Sequence, residues 1–195
     1  VDNYIDYSGE IIRNNARIGY LAQELTGQEK QMSAYEFMCE MPSFFDLSPK
    51  DMALVAAQLQ MPKELFYAEQ ELGKFSGGEK IKLQLARILL SQPDVLFLDE
   101  PSNDLDLATV RWLEKFIADS KLPVLYISHD EVLLENTANK IIHLEQIKRK
   151  TESRATVHKS NYRDYVENRL RGLEQQEQQA KNEWSEYEKK QEKFR

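Results

Sequence analysis

Between residues 17 and 145, short apolar runs alternate with longer stretches in which apolar residues recur every three or four positions. Four of the runs read as strands: RIGYLA (17–22), VLFL (95–98), PVLYIS (123–128) and KIIHLE (140–145). The middle two lack polar alternation, as strands buried in a parallel sheet do. The helical period runs through EKIKLQLARILL (79–90), LATVRWLEKFIADS (107–120) and DEVLLENTANK (130–140). Strand–helix–strand alternation predicts an α/β fold, a parallel sheet covered by helices with ligands at the strands' carboxyl ends.

Two regions depart from this alternation. Residues 28–72 hold no strand pattern of comparable strength, and Pro42, Pro49 and Pro62 punctuate short amphipathic pieces. A small helical subdomain is expected there, spanning about 28–90 once the helix ending at Leu90 is added. From Asn161 to Arg195 there is no proline and one glycine, Gly172. Steps of four and three from Val166 give Val166, Leu170, Leu173, Glu177, Ala180, Trp184, Tyr187, Gln191 and Phe194, mostly apolar or aromatic, as in one arm of a coiled coil. Such a helix reaches about 50 Å. No capping signal closes KKQEKFR, so a returning helix is expected to follow.

Composition changes this picture in three places. A length of 195 residues fits one domain with an appendage or one truncated domain, and 41% hydrophobic residues suffice for a core. The formal charge of −7 excludes general attraction to nucleic acid, but it is unevenly spread. Residues 1–150 hold 16 Lys/Arg against 24 Asp/Glu, and residues 151–195 hold 10 against 9, so the tail is expected to do something different. The single Cys39 cannot form an internal disulfide and reads as a small apolar residue beside Phe37 and Met38, which fits a reducing, cytoplasmic setting. No apolar run approaches the roughly 20 residues of a membrane helix, so no membrane insertion is expected.

The candidate chemistry lies in KFSGGEKIKLQLARILLSQPDVLFLDEPSNDLD (74–106). VLFLDE sets two carboxylates, Asp99 and Glu100, at the end of a buried strand, where an Asp holds Mg²⁺ in phosphoryl transfer and a neighbour orients or deprotonates the attacking water. Ser76-Gly77-Gly78 opens a helix whose amides form an anion seat, although for these three residues alone an ordinary serine cap is the better reading. SHD places His129 just beyond a strand, which by itself carries little.

Taken together, FSGGE, VLFLDEP, SNDLD and then SHD about 30 residues beyond Glu100 resemble the ATP-binding-cassette (ABC) ATPases over residues 8–145. That resemblance implies a P-loop-NTPase-like cassette core using ATP and Mg²⁺. It implies that Ser76, Gly77, Gly78 and Glu79 form the ATP-contacting signature motif, and that Asp99 (metal) and Glu100 (catalytic) form the Walker B segment. Asp106 falls in the D-loop and His129 is the switch histidine. Gln23 in IGYLAQEL fits the Q-loop, touching nucleotide and Mg²⁺. Within the superfamily the chain is most similar to the ABC-F group, two-cassette proteins that act on ribosomes. Glu79 stands where transporters usually carry Gln. SNDLD resembles the group's TNHLD, departing at Ser102 and Asp104. SNYRDYVENRLRGLEQQEQQAKNEWSEYEKKQEKFR looks like the first linker helix, reached through Lys148, Arg149 and Lys150.

The expected division is therefore a partial cassette (1–150) and an inter-cassette linker (151–195). A second cassette of the same parent chain and the ribosome are the expected partners. Lys189, Lys190, Lys193 and Arg195 stand against only Glu192 near the expected tip of the arm, so the three lysines are expected to contact rRNA or tRNA phosphates.

The phosphate-binding loop G-x-x-x-x-G-K-[ST] is missing from the sequence, because the one Gly-Lys pair, Gly73-Lys74, is followed by Phe75 and preceded at the required position by Ala68. SGEI (8–11) resembles the segment just after that loop's helix, so the loop is expected upstream, and the chain by itself is expected to be inactive. Translation factor and antibiotic-resistance protein both fit the resemblance. A transporter subunit would share the motifs but leaves the tail unexplained. Chromosome-maintenance ATPases interrupt the cassette before the signature, whereas here the helix follows His129. A non-hydrolysing binding module is opposed by Asp99, Glu100 and His129.

Overall fold

The computed structural model describes residues 10, 12, 14–147 and 152–193. Ser8, Gly9 and Ile11 of the SGEI segment, the basic turn Lys148, Arg149 and Lys150, and Phe194 and Arg195 lie outside the described residues. The chain packs as two compact units, Val1–His129 and Asp130–Arg195.

In the first unit the elements run β1 (Ile18–Leu21), α1 (Gly27–Gln31), α2 (Ala34–Cys39), α3 (Pro49–Gln58), α4 (Gly77–Leu90), β2 (Val95–Asp99), α5 (Leu107–Ala118) and β3 (Val124–Ile127). Short 3-10 turns sit at Phe44–Asp46, Lys63–Tyr67 and Leu72–Lys74. The strands form a parallel sheet in the order β1-β2-β3, with Leu21 opposite Leu98 and Leu98 opposite Tyr126. Leu21, Leu96 and Leu98 are buried on one face. The other face is more open, and β3 departs from the expectation of a buried strand: Leu125 is 44% and Ile127 62% exposed. Among the described residues β3 pairs with β2 alone, and with Leu125 and Ile127 open its apolar run overstates its burial.

Helix starts in this unit are written in the sequence. TGQE, SAYE and SGGE each close a capping box, in which Thr26, Ser33 or Ser76 accepts from the backbone N–H three residues on and the Glu there accepts from the cap's own N–H. Phe37, Met38, Leu59, Phe66 and Leu72 are buried in the helical subdomain. Arg87 on α4 ties that subdomain together: its guanidinium lies 3.7 Å over the Phe37 ring, 3.1 Å from Glu40 and 3.6 Å from Glu29. Cys39 is half-buried.

In the second unit, α6 (Glu131–Thr137) leads into β4 (Ile141–Ile147), β5 (Glu152–His158) and the 32-residue α7 (Tyr162–Lys193). The KIIHLE strand does not join the parallel sheet. It pairs antiparallel with β5, from Ile141 opposite His158 to Ile147 opposite Glu152. ESRATVH offers only Ala155 and Val157 as apolar positions, too few for a strand signal, and its pairing depends on β4. Asn161 caps α7 by accepting from the Asp164 N–H at 2.8 Å. Tyr165 sits between the rings of His143 and His158, at centroid distances of 5.8 and 5.1 Å, and Arg169 donates to Glu145 at 2.8 Å, so the first turns of α7 are fixed to the hairpin. Further along, Leu170, Leu173, Trp184 and Tyr187 of the expected seam are all exposed. Among the described residues no helix is long and apolar enough to cross a membrane.

Gly172 lies in the interior of α7, and a Cβ there would meet nothing within 4 Å. With no steric cost to oppose it, helix propensity decides the sign, and Gly172→Ala is expected to stabilise α7 by about 0.5–1 kcal/mol. Helicity at 222 nm followed through a thermal melt checks this: the transition should rise, and a fall would mean that the position packs against something.

Candidate nucleotide-hydrolysis site at the end of β2

The sheet's central strand ends in Asp99 and Glu100, and the two carboxylates go separate ways. Tyr20 pairs with Phe97, two residues before Asp99 and on the same face, so its hydroxyl reaches Asp99 Oδ2 at 3.2 Å. Glu100 leaves the strand with φ = 44°, a left-handed conformation that a non-glycine residue adopts only under local constraint. Its N–H donates to the Ile127 carbonyl at 3.0 Å and its carbonyl accepts from Asn103 N–H at 3.1 Å, which supplies that constraint. Only 8% of Glu100 is exposed, and among the described residues no other charged residue is buried. The His129 backbone N–H donates to Oε2 at 3.2 Å, and the ring Nε2 lies 3.4 Å from Oε1. The ring itself is 95% exposed, so the backbone amide, more than the imidazole, holds the carboxylate.

Gln23, Lys80, Gln84, Asn103, Gly77 and Glu100 are among the residues lining an open cleft of about 330 Å³ beside this strand end. At its edge the first turn of α4 is self-capped. The Ser76 hydroxyl donates to Glu79 Oε2 at 2.7 Å and the Ser76 N–H donates to the same oxygen at 2.9 Å. These two bonds, the hydroxyl's first, hold the Glu79 carboxyl below the usual glutamate range, so at neutral pH it is an anion in the positive field of the helix start. Asp106 caps α5 in the same way, accepting from Ala108 N–H, Thr109 N–H and the Thr109 hydroxyl at 2.9, 3.0 and 2.8 Å. The Thr109 hydroxyl, followed by its N–H, keeps the Asp106 carboxyl below the usual range.

The two glycines bring these helix starts together. A Cβ on Gly77 would lie 2.6 Å from the Asp104 carbonyl oxygen, and one on Gly78 2.6 Å from the Thr109 hydroxyl. Their absent side chains therefore serve packing within this unit, a use that the expectation of an anion seat left out.

Of the residues expected from sequence, Gln23, Gly77 and Glu100 share the cleft, and Ser76, Gly78, Glu79 and Asp106 form the adjoining pair of helix starts. His129 reaches Glu100, whereas Asp99 lies against Tyr20 and is not among the cleft's lining residues. Lys189, on α7 of the second unit, is exposed, and the side chains of Lys190 and Lys193 lie outside the described residues. Sequence reasoning missed Tyr20, Lys80 and Asn103. Tyr20 was findable by the two-residue strand period, and Lys80 by its place one turn after Ser76. Asn103 belongs to a turn and carried no periodic signal.

The ABC transporter family model matches residues 3–103, so the chain belongs to the ABC transporter family. Its relatives narrow this to the F-type members. It is 37% identical over 109 residues to ABC transporter F family member 5 of Arabidopsis thaliana, a match covering 56% of this chain and 15% of that protein. It is 37% identical over 106 residues to the energy-dependent translational throttle protein EttA of Mycobacterium tuberculosis, covering 54% of this chain and 18% of that protein. The chain thus spans less than a fifth of the length of either relative. The fold matches that of an archaeal ribosome recycling factor, aABCE1, solved in complex with the ribosomal stalk protein aP1, with a TM-score of 0.60 at 19% identity over 85% of this chain and 32% of that one.

Gly77→Ala sets helix propensity against packing. Propensity favours Ala by about 1 kcal/mol, but a Cβ 2.6 Å from a backbone carbonyl forces α4 and the 101–106 turn apart, which costs about 1–3 kcal/mol. Net destabilisation is expected, read as a lower urea midpoint. An unchanged or higher midpoint would show that the approach relaxes freely.

Proposed function

We propose that this chain is part of an ABC-F ATPase that hydrolyses ATP and acts on the ribosome. The observation that carries the hydrolytic reading is Glu100, a buried carboxylate in a strained turn at the end of the central strand, with one oxygen on a backbone amide and the other beside an exposed imidazole. Burial and fixed orientation suit a group that takes a proton from an attacking water at Oε, and in this reading His129, its Nε2 3.4 Å from Oε1, orients the same carboxylate or the γ-phosphate.

The donor chemistry fits Mg²⁺, with Asp99 against Tyr20 and Gln23 on the cleft. Asp99 and Gln23 offer hard oxygens at strand ends, and Mg²⁺ binds to one or two such groups while taking its remaining ligands from phosphates and water. Among the described residues no three His, Cys, Asp or Glu gather into a metal cage. When bound, the ion would offset charge developing on the phosphate oxygens. Ser76, Gly77 and Gly78 would face nucleotide held by a second cassette, with Glu79 and Asp106 fixing the two helix starts. The phosphate-binding loop is not in this sequence, so the chain supplies one side of a composite site. The ribosomal part of the reading is supported by the name of the throttle-protein relative and by the long, highly charged α7. Translation factor and ribosome-protection protein remain two forms of this one proposal.

The chain alone is expected to show no steady ATP turnover, and turnover abolished by Glu100→Gln would sink that expectation. In the full-length protein, Glu100→Gln together with the matching change in the second cassette should leave ATP bound but lower its hydrolysis by a factor on the order of 100 or more. Wild-type turnover would remove Glu100 from the role of base.

Reversing Lys189, Lys190 and Lys193 to Glu in the full-length protein should weaken ribosome co-sedimentation, with a shallower dependence on salt, and leave ribosome-free ATPase activity intact. Unchanged co-sedimentation across a salt series would make α7 a spacer.

A further inference from the structure

The helical subdomain carries a second cleft. Tyr35, Phe44, Phe45 and Tyr67 line it together with Leu47, Met52 and Glu69. Phe44 is the hub of the rings, with centroids 5.6 Å from Phe45, 6.3 Å from Tyr35 and 6.3 Å from Tyr67. Phe44 is buried, but Phe45 is 71%, Tyr67 56% and Tyr35 38% exposed. The volume of this cleft is about 440 Å³. Core packing accounts for Phe44, and the Tyr67 hydroxyl donates to Met52 Sδ at 3.5 Å, but much of the Phe45, Tyr67 and Tyr35 rings stays open to solvent. Exposed aromatics gathered at one cleft are the composition of a binding surface.

Charge selects the occupant. Residues 33–72 hold seven Asp/Glu (Glu36, Glu40, Asp46, Asp51, Glu64, Glu69 and Glu71) against Lys50 and Lys63. Several of these carboxylates are engaged: Glu36 with Ser33, Glu40 with Arg87, Asp51 with Ser48 and Glu71 with Lys74. Glu69 makes no ion pair within the described residues, and it lines the cleft. Ring faces beside an uncommitted carboxylate attract cations and repel phosphate. We propose that this cleft docks a basic polypeptide segment of a partner, seating a Lys or Arg side chain against Tyr67, Tyr35 and Phe45 with its charge on Glu69. The proposal is independent of ATP hydrolysis and of RNA contact by α7. It makes this face a protein-binding surface and not a nucleic-acid one.

Fluorescence anisotropy of the full-length protein with labelled hexa-arginine tests it, with hexaglutamate and a single-stranded RNA hexamer as alternative probes. Hexa-arginine should bind at the cleft, and any binding of the other two, such as RNA on the basic residues of α7, should be unaffected by substitutions in the cleft. Phe45→Ala, Tyr67→Ala and Glu69→Lys should each weaken hexa-arginine at least tenfold. Asp119→Lys, an exposed charge reversal outside the cleft, should leave it within twofold. Far-UV circular dichroism confirms that each variant stays folded, and Phe45→Ala, at a mostly exposed position, serves as the variant least able to unfold the protein. Equal loss in Asp119→Lys would reduce the effect to general attraction to an acidic body and overturn the proposal. Absence of hexa-arginine binding, weakened hexaglutamate or RNA binding in the cleft variants, or indifference of hexa-arginine to all three of them would overturn it too.

Discussion

The close approach of α4 to the turn that follows β2 is the constraint on which the site depends. With Gly77 against the Asp104 carbonyl and Gly78 against Thr109, the starts of α4 and α5 converge on the end of the central strand. Two glycines in the first turn of a helix cost about 0.5–1 kcal/mol each in propensity. The capping box of Ser76 and Glu79 offsets part of that, since a serine cap contributes about 1 kcal/mol and an anion at the helix start a few tenths more. SGGE is thus one local solution in which the glycines permit contact and the flanking Ser and Glu stabilise the helix that makes it.

The same turn explains how a charged group comes to be buried. Burying a carboxylate without partners is costly, and Glu100 is offered a backbone N–H at one oxygen and an imidazole nitrogen near the other. Adjacent residues of a strand point to opposite faces, so Asp99 keeps the sheet face beside Tyr20 while Glu100 falls on the face of Leu21 and Leu98 and joins the cleft. The left-handed backbone at Glu100 ends the strand there and brings the His129 amide to its carboxylate. The two carboxylates thus meet different environments and are open to different roles.

Much of this was legible because it is encoded locally. The strands at 18–21, 95–99 and 124–127, the helices after Ser76 and Asp106, and the long helix from Tyr162 all follow from periodicity and caps spelled out within a few residues. What was not legible depends on partners distant in sequence. The β5 strand is defined by its pairing with β4, and its own residues carry little apolar signal. β3 has the composition of a buried strand but stands at an edge of the sheet that the described residues form, which only the strand order reveals. Likewise, SGG reads as a ligand loop or as a cap from sequence, and the structure adds a third use, close helix packing, that depends on Asp104 and Thr109, 27 and 31 residues further along the chain.

Net charge was the least informative number in the sequence, and its failure has a physical cause. A formal −7 averages over surfaces of different chemistry. In the helical subdomain most acids are consumed locally, by caps and by Arg87, and Glu69 is left beside exposed rings. In α7 the charges form pairs within the helix, such as Arg171 with Glu167, or anchor it to the hairpin, as Arg169 does with Glu145. Charges consumed in this way shape helices and contribute little to recognition, because a paired exposed ion presents a weak field beyond about 8–10 Å in physiological salt. What a partner meets is the uncommitted remainder. On the helical subdomain that remainder sets Glu69 beside exposed rings, and on α7 it mixes the exposed Lys189 with exposed acids such as Glu174 and Glu177.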